Sequence, residues 1–238
     1  MTSFRASDYL TPFANAIPES LIARANLATM LDVARLIPGA MTNFFGFECR
    51  LSETAAPSDI LFAVNAPEMQ VLAGKRPGMD LPDAFWQVSI WQQARAFCAE
   101  THRDDSPLRG KVDNLWLEFD LASPPHDVPV FSAFFGSNEI ASTADGDIAR
   151  HLAWFTDRAL PMLYGQGLTP AVQSRVLACV QALPPHARVF QTGAMLSRTP
   201  PFVRICISGI VPAQFPEYLA AIGWHGDRAQ LQTWLAQL

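Results

Sequence analysis

Apolar and polar residues alternate with a period of two in three stretches of this chain, a pattern that marks strands rather than helices. In 44–65, Phe45, Phe47, Cys49 and Leu51 share one face, and Gly46, Glu48 and Arg50 the other. In 114–136, Leu115, Leu117, Phe119 and Leu121 oppose Trp116, Glu118 and Asp120. In 189–210, Phe190, Thr192, Ala194 and Leu196 oppose Gln191, Gly193, Met195 and Ser197. The return run there sets Val203, Ile205 and Ile207 against Arg204, Cys206 and Ser208. A leucine closes the first run of each stretch (Leu51, Leu121, Leu196). A loop carrying Pro57, Pro124–Pro125 or Pro200–Pro201 follows. Proline suits such loops because it fixes φ and cannot donate to a ladder. Each stretch therefore predicts an antiparallel hairpin.

Between the hairpins the period changes to that of a helix. Leu27, Met30, Leu31 and Ala34 fall on one helical face within 19–36, and Trp86, Ile90, Ala94 and Phe97 on another within 82–100. Ile148, Leu152, Phe155, Ala159 and Met162 predict a helix bent at Pro161. Thr169-Pro170 reads as an N-cap followed by proline at the first helical position, ahead of Val172, Val176, Val180 and Leu183. A short helix is predicted over 213–222 with Gly223 as its cap, and Asp227 caps a last one with Leu231, Trp234, Leu235 and Leu238 on one face. The stretches 66–81 and 102–111 read as surface connections. The expected fold is α+β: a single domain over 1–238 with a mainly antiparallel sheet of about six strands from three repeated ββ hairpins. Helices pack on one face, in repeat-like units of about 18–80, 82–165 and 169–238.

Composition narrows the function. Half the residues are hydrophobic and 16% are charged, against about 25% charged in a typical domain. The surplus is enough to line a ligand cavity or to cover a homodimer interface. A net charge of −5 with no basic stripe argues against nucleic acid and against an anionic membrane surface. The N-terminal MTSFRASDYLTPF holds no apolar run of the signal-peptide kind, and no stretch is long enough to span a bilayer. Cytoplasmic residence is the expectation. Cys49, Cys98, Cys179 and Cys206 are scattered through apolar runs, which predicts buried thiols rather than a metal site. No two of the five histidines have metal-ligand spacing, and no cofactor-binding loop is present.

The candidate chemistry lies on the polar face of the strands. Glu48, Glu118 and Asp120 are the candidate acid–base groups. Arg50, Arg198 and Arg204 are placed to receive an anionic group, with Trp116 and Gln191 beside them. Glu118 and Asp120 stand about 7 Å apart along one strand face at ~3.3 Å per residue. The order of helices and hairpins resembles that of the aromatic prenyltransferases, whose repeated α-β-β-α units close into a barrel around a solvent-filled cavity. The resemblance covers element order across most of the chain, with three hairpins where the family has five. It also meets only three tyrosines and two lysines, whereas the family's diphosphate site is rich in Lys, Arg and Tyr. It implies a barrel with the charged face inside, Glu48 or Glu118 orienting an acceptor, and Arg50 and Arg204 meeting a diphosphate.

Two readings follow. In the first, the chain binds a largely apolar small molecule or peptide on the carboxylate–arginine face, either as a binder alone or as a metal-independent, transferase-like enzyme that modifies it. In the second it is a non-catalytic interaction module. Its partner surface would then be Phe131, Phe134 and Phe135 with Phe85, Trp86 and Trp91.

Overall fold

The computed structural model describes residues 4–49, 58–77, 81–121, 127–142 and 147–237. Arg50, Leu51, the loop prolines Pro57, Pro124 and Pro125, and Leu238 lie outside the described residues. Two helices, α1 (Ala6–Ala14) and α2 (Arg24–Leu36), precede the first hairpin, β1 (Phe44–Glu48) and β2 (Asp59–Asn65). Then come α3 (Ala66–Leu72), α4 (Ser89–Thr101), β3 (Asn114–Phe119) and β4 (Ser132–Ile140). The chain continues through α5 (Ile148–His151), α6 (Leu160–Tyr164) and α7 (Pro170–Gln181) to β5 (Arg188–Met195) and β6 (Phe202–Ser208). It ends in α8 (Phe215–Ala221) and α9 (Arg228–Leu235). The fold is α+β. Among the described residues no helix is long and apolar enough to cross a membrane.

All six strands form one sheet in chain order, each antiparallel to its neighbour. The alternation of the sequence sets which residues share a face. Ile60, Phe62, Leu115, Leu117, Phe119, Ala133 and Phe135 turn to the helices and are buried. Trp91 of α4 is the centre of that layer. Its ring lies 4.7 Å from Phe131 and 4.9 Å from Phe85, and its Nε1 donates to the Pro129 carbonyl at 2.9 Å. Phe97 and Phe155 close on Phe135. Phe85, Trp91, Phe131 and Phe135 are thus core residues, Phe134 is buried on the opposite face and Trp86 is half-buried, so the aromatic surface expected from the sequence is mostly not exposed. Their large apolar area is worth more inside, at about 25 cal/mol per Å², than at a surface.

The opposite face carries Phe44, Gly46, Glu48, Asp59, Trp116, Glu118, Phe134, Gly193 and Arg204, by register. The Arg204 Nη1 donates to both Glu48 carboxylate oxygens at 3.2 Å. These residues stand on the last and first strands. In a flat sheet those strands would be about 24 Å apart, at ~4.8 Å per strand, beyond the joint reach of the two side chains. The sheet must therefore curl with this face inward and the helices outside. It nevertheless stays open: β1 and β6 are its edges and do not pair among the described residues. The barrel implied by the resemblance to prenyltransferases is not formed.

Other expectations need correction. Residues 66–72 are helical rather than loop, with Pro67 in the first turn and Met69, Val71 and Leu72 buried. Helix α1 lacked a long enough apolar period to be read. The helix expected over 148–162 is interrupted, with a π-helical turn at Trp154–Ala159 ahead of Pro161, whose missing N–H breaks the regular ladder. In β5 the register shifts between Val189 and Gln191, so that Phe190 leaves the predicted face and is exposed. Of the four cysteines only Cys98 is fully buried, the other three being half-buried because they lie toward the sheet edges and on α7.

Gly193 fits the curl closely. A Cβ there would lie 2.4 Å from the Phe134 ring, which also carries the Arg204 guanidinium 5.5 Å from its centroid. Gly193→Val should cost about 1–3 kcal/mol by overpacking, read as a lower urea midpoint. An unchanged midpoint would mean that the inner face has slack.

Candidate functional site

Two sites arise from this frame, one charged and one apolar. The charged one is built on strand positions that point into the curl. Glu118 on β3 is completely buried. Arg204 approaches it at 3.8 Å, too far for a hydrogen bond, and among the described residues no group donates to either Glu118 oxygen, while the Glu118 proton has the Glu48 carboxylate as its acceptor. Burial, then the charge of Glu48, pushes the Glu118 carboxyl up to about 8, against the opposing pull of Arg204. The group is therefore largely neutral at pH 7.

Asp120 belongs to a different group. Arg198, in the β5–β6 loop, reaches Asp120 at 2.7 Å and Asp59 at 3.6 Å. Asp59 accepts the Leu121 N–H at 3.1 Å. Its carboxyl is pushed up to about 6, first by burial and then by the Asp120 charge, with the Leu121 and Arg198 contacts opposing. The structure thus brings Glu48, Glu118 and Arg204 together, and Asp120 with Arg198, but it hands Glu118 and Asp120 to different arginines. Trp116 packs against Phe44 at 5.7 Å. Gln191 is half-buried in register with Gly136 and Cys206. Arg50 lies outside the described residues. Asp59 was missed, although it is the register partner of Glu48, and alternation counted back from Ile60 would have placed it. Among the described residues no three His, Cys, Asp or Glu side chains converge into a metal-binding set.

The apolar site lies on the helix side of the sheet, at the β6 edge. Thr169 caps α7 by accepting the Val172 N–H, and Pro170 starts the helix, as the sequence predicts. Val176 and Val180 turn inward. Helix α7 does not fully cover β6, whose residues are half-buried or exposed throughout. Between them runs a groove of about 530 Å³, walled by Leu168, Val172, Val176, Phe202, Val203 and Ile205. Val172 and Phe202 are 40% and 47% exposed. Arg175, Tyr164, Gln166 and Thr169 add polar atoms. Burial pushes the Tyr164 hydroxyl up to about 12 and raises the Cys179 thiol, so both groups are neutral. The sequence carried only part of this signal: the two walls, α7 and β6, were each legible, but their separation was not.

No family model, curated protein or solved structure matches the chain. The residues themselves therefore carry the functional argument.

The buried carboxyls make stability depend on pH. Glu118 holds its proton more tightly in the folded protein than at its ordinary value of 4.5. Its contribution is therefore full below about 4.5 and is lost as pH rises through about 8. Asp59 acts in the same direction between 3.8 and about 6. Urea titrations should show falling stability from pH 5 to 8. Glu118→Gln should flatten the part above pH 6, and an unaltered slope would remove Glu118 as its source.

Proposed function

We propose that this chain is a metal-independent binding domain that takes a largely apolar small molecule in the groove between α7 and β6. The observation that carries this reading is the groove itself. Its volume falls in the ~300–1,000 Å³ range of small-molecule sites, and its walls are apolar with few polar groups, as such sites are. It is open, whereas Glu118 is fully buried. In this reading the carboxylate–arginine face holds the curl of the sheet.

The second reading keeps the ligand on the concave face. Its support is the buried Glu118 carboxyl, which no donor reaches among the described residues, since buried polar atoms are nearly always bonded. A ligand that donates one hydrogen bond to the oxygen without the proton would satisfy it.

The two readings separate with the neutral dye N-phenyl-1-naphthylamine. Val172 is the third residue of α7, behind a threonine cap, so Val172→Glu completes a capping box and should leave the helix at least as stable. It also places a carboxylate on the groove wall. Saturable dye fluorescence that Val172→Glu abolishes and Glu118→Gln leaves intact supports the groove. The reverse pattern moves the site to the concave face.

A further inference from the structure

We propose that the ligand of the groove is a single-chain alkyl carboxylate, with its chain along the apolar walls and its carboxylate on Arg175. This inference rests on the groove reading and adds the charge and shape of the ligand. The lining holds Arg175 and, among the described residues, no Asp or Glu. The site is therefore complementary to an anion and unfavourable to a cation. Arg175 is also unspent. Its Nη2 reaches only the Gly223 carbonyl, at the 3.5 Å limit of a hydrogen bond, and among the described residues it makes no ion pair. Arg158, Arg198 and Arg204, which border other buried surfaces, each hold a carboxylate within 4 Å. A guanidinium with free donors beside a carboxylate-free apolar trough can accept the head group without displacing a partner.

The walls decide the rest of the ligand. Leu168, Val176, Val203 and Ile205 line the trough, and the exposed Val172 and Phe202 flank it. Methylene groups gain about 0.8 kcal/mol each on burial. A compact polar anion gains nothing from these walls, and a neutral alkane leaves Arg175 unused. An amphiphile with one negative end satisfies both features.

The test is isothermal titration of the whole chain with hexanoate, octanoate and decanoate, each below its micelle concentration. The comparison ligands are 1-octanol and octyltrimethylammonium, and the variants are Arg175→Gln and Val172→Glu. Arg175 is exposed, so its replacement should not disturb folding. The expected result is affinity rising about fourfold per added methylene until the groove is full. Octanoate should outbind 1-octanol, and octyltrimethylammonium should bind weakest. Arg175→Gln should weaken octanoate about tenfold, the loss of one charge-assisted hydrogen bond, and leave 1-octanol unchanged. Equal binding of octanoate and 1-octanol, with no effect of Arg175→Gln, overturns the carboxylate assignment and leaves the groove standing. Absence of binding by every alkyl ligand, or binding that Val172→Glu does not weaken, overturns the groove reading and this inference together.

Discussion

The bridge from Arg204 on the last strand to Glu48 on the first is the contact on which the shape of the sheet depends. It spans 156 positions of chain and joins two strands that share no hydrogen-bonded ladder among the described residues. Taken alone it is modest, because the Glu48 and Arg204 side chains are 44% and 32% exposed and ion pairs of that kind contribute about 1 kcal/mol or less. Its weight comes from Glu118. That carboxyl is fully buried, and among the described residues Arg204 is the cation within 4 Å of it. Glu118 carries its proton at pH 7, so the charge that Arg204 balances is that of Glu48; removing Arg204 would leave the Glu48 carboxylate beside a buried carboxyl with no cation and push the Glu118 proton affinity higher still. The two act together, since the curl buries Glu118 as a neutral acid and Arg204 balances the Glu48 charge beside it.

The curl then distributes burial unevenly. The concave face fills with its own side chains, Phe134, Met195 and Glu118 among them, so it needs no layer of helices. The helices collect on the convex side and cover the central strands, where Trp91 and its ring of phenylalanines form the thickest part of the core. The cover thins toward the edges. Strands β1 and β6 stay half-buried, whereas β2 to β4 are largely buried. The groove beside β6 is a consequence: a convex sheet under a straight helix leaves a gap at its margin. An open edge with apolar walls is a liability unless something occupies it, which is the physical reason to read the groove as a binding site.

The two carboxyls with raised proton affinity belong to the same economy of charge. Glu48, Asp59, Glu118 and Asp120 share the concave face with Arg198 and Arg204 among the described residues. Six ionised groups there would leave an excess of negative charge. Holding protons on Glu118 and Asp59 reduces that excess without further cations. The face is thereby suited to stability in mildly acidic rather than alkaline solution.

What the sequence determined by itself was local. Period-two alternation put Glu48, Trp116, Glu118 and Arg204 on one face of their strands, because side chains alternate whatever the strand pairs with. The caps at Thr169 and Asp227 were legible because a cap bonds within three residues of itself. Local signals also failed where they were weak: α3 is only seven residues long, has a proline in its first turn and a glycine two residues past its end. The tertiary structure alone decided which carboxylate met which arginine. Glu118 and Asp120 look equivalent in sequence, but Arg204 approaches one and Arg198 the other because Arg204 stands within β6 and Arg198 in the β5–β6 loop, level with the residue just past β3. It alone decided that Phe131 and Phe135 are core rather than interface, and that α7 stands off β6 to leave a groove. Each of these depends on the distance between elements far apart in the chain, and residue type and spacing carry no measure of that distance.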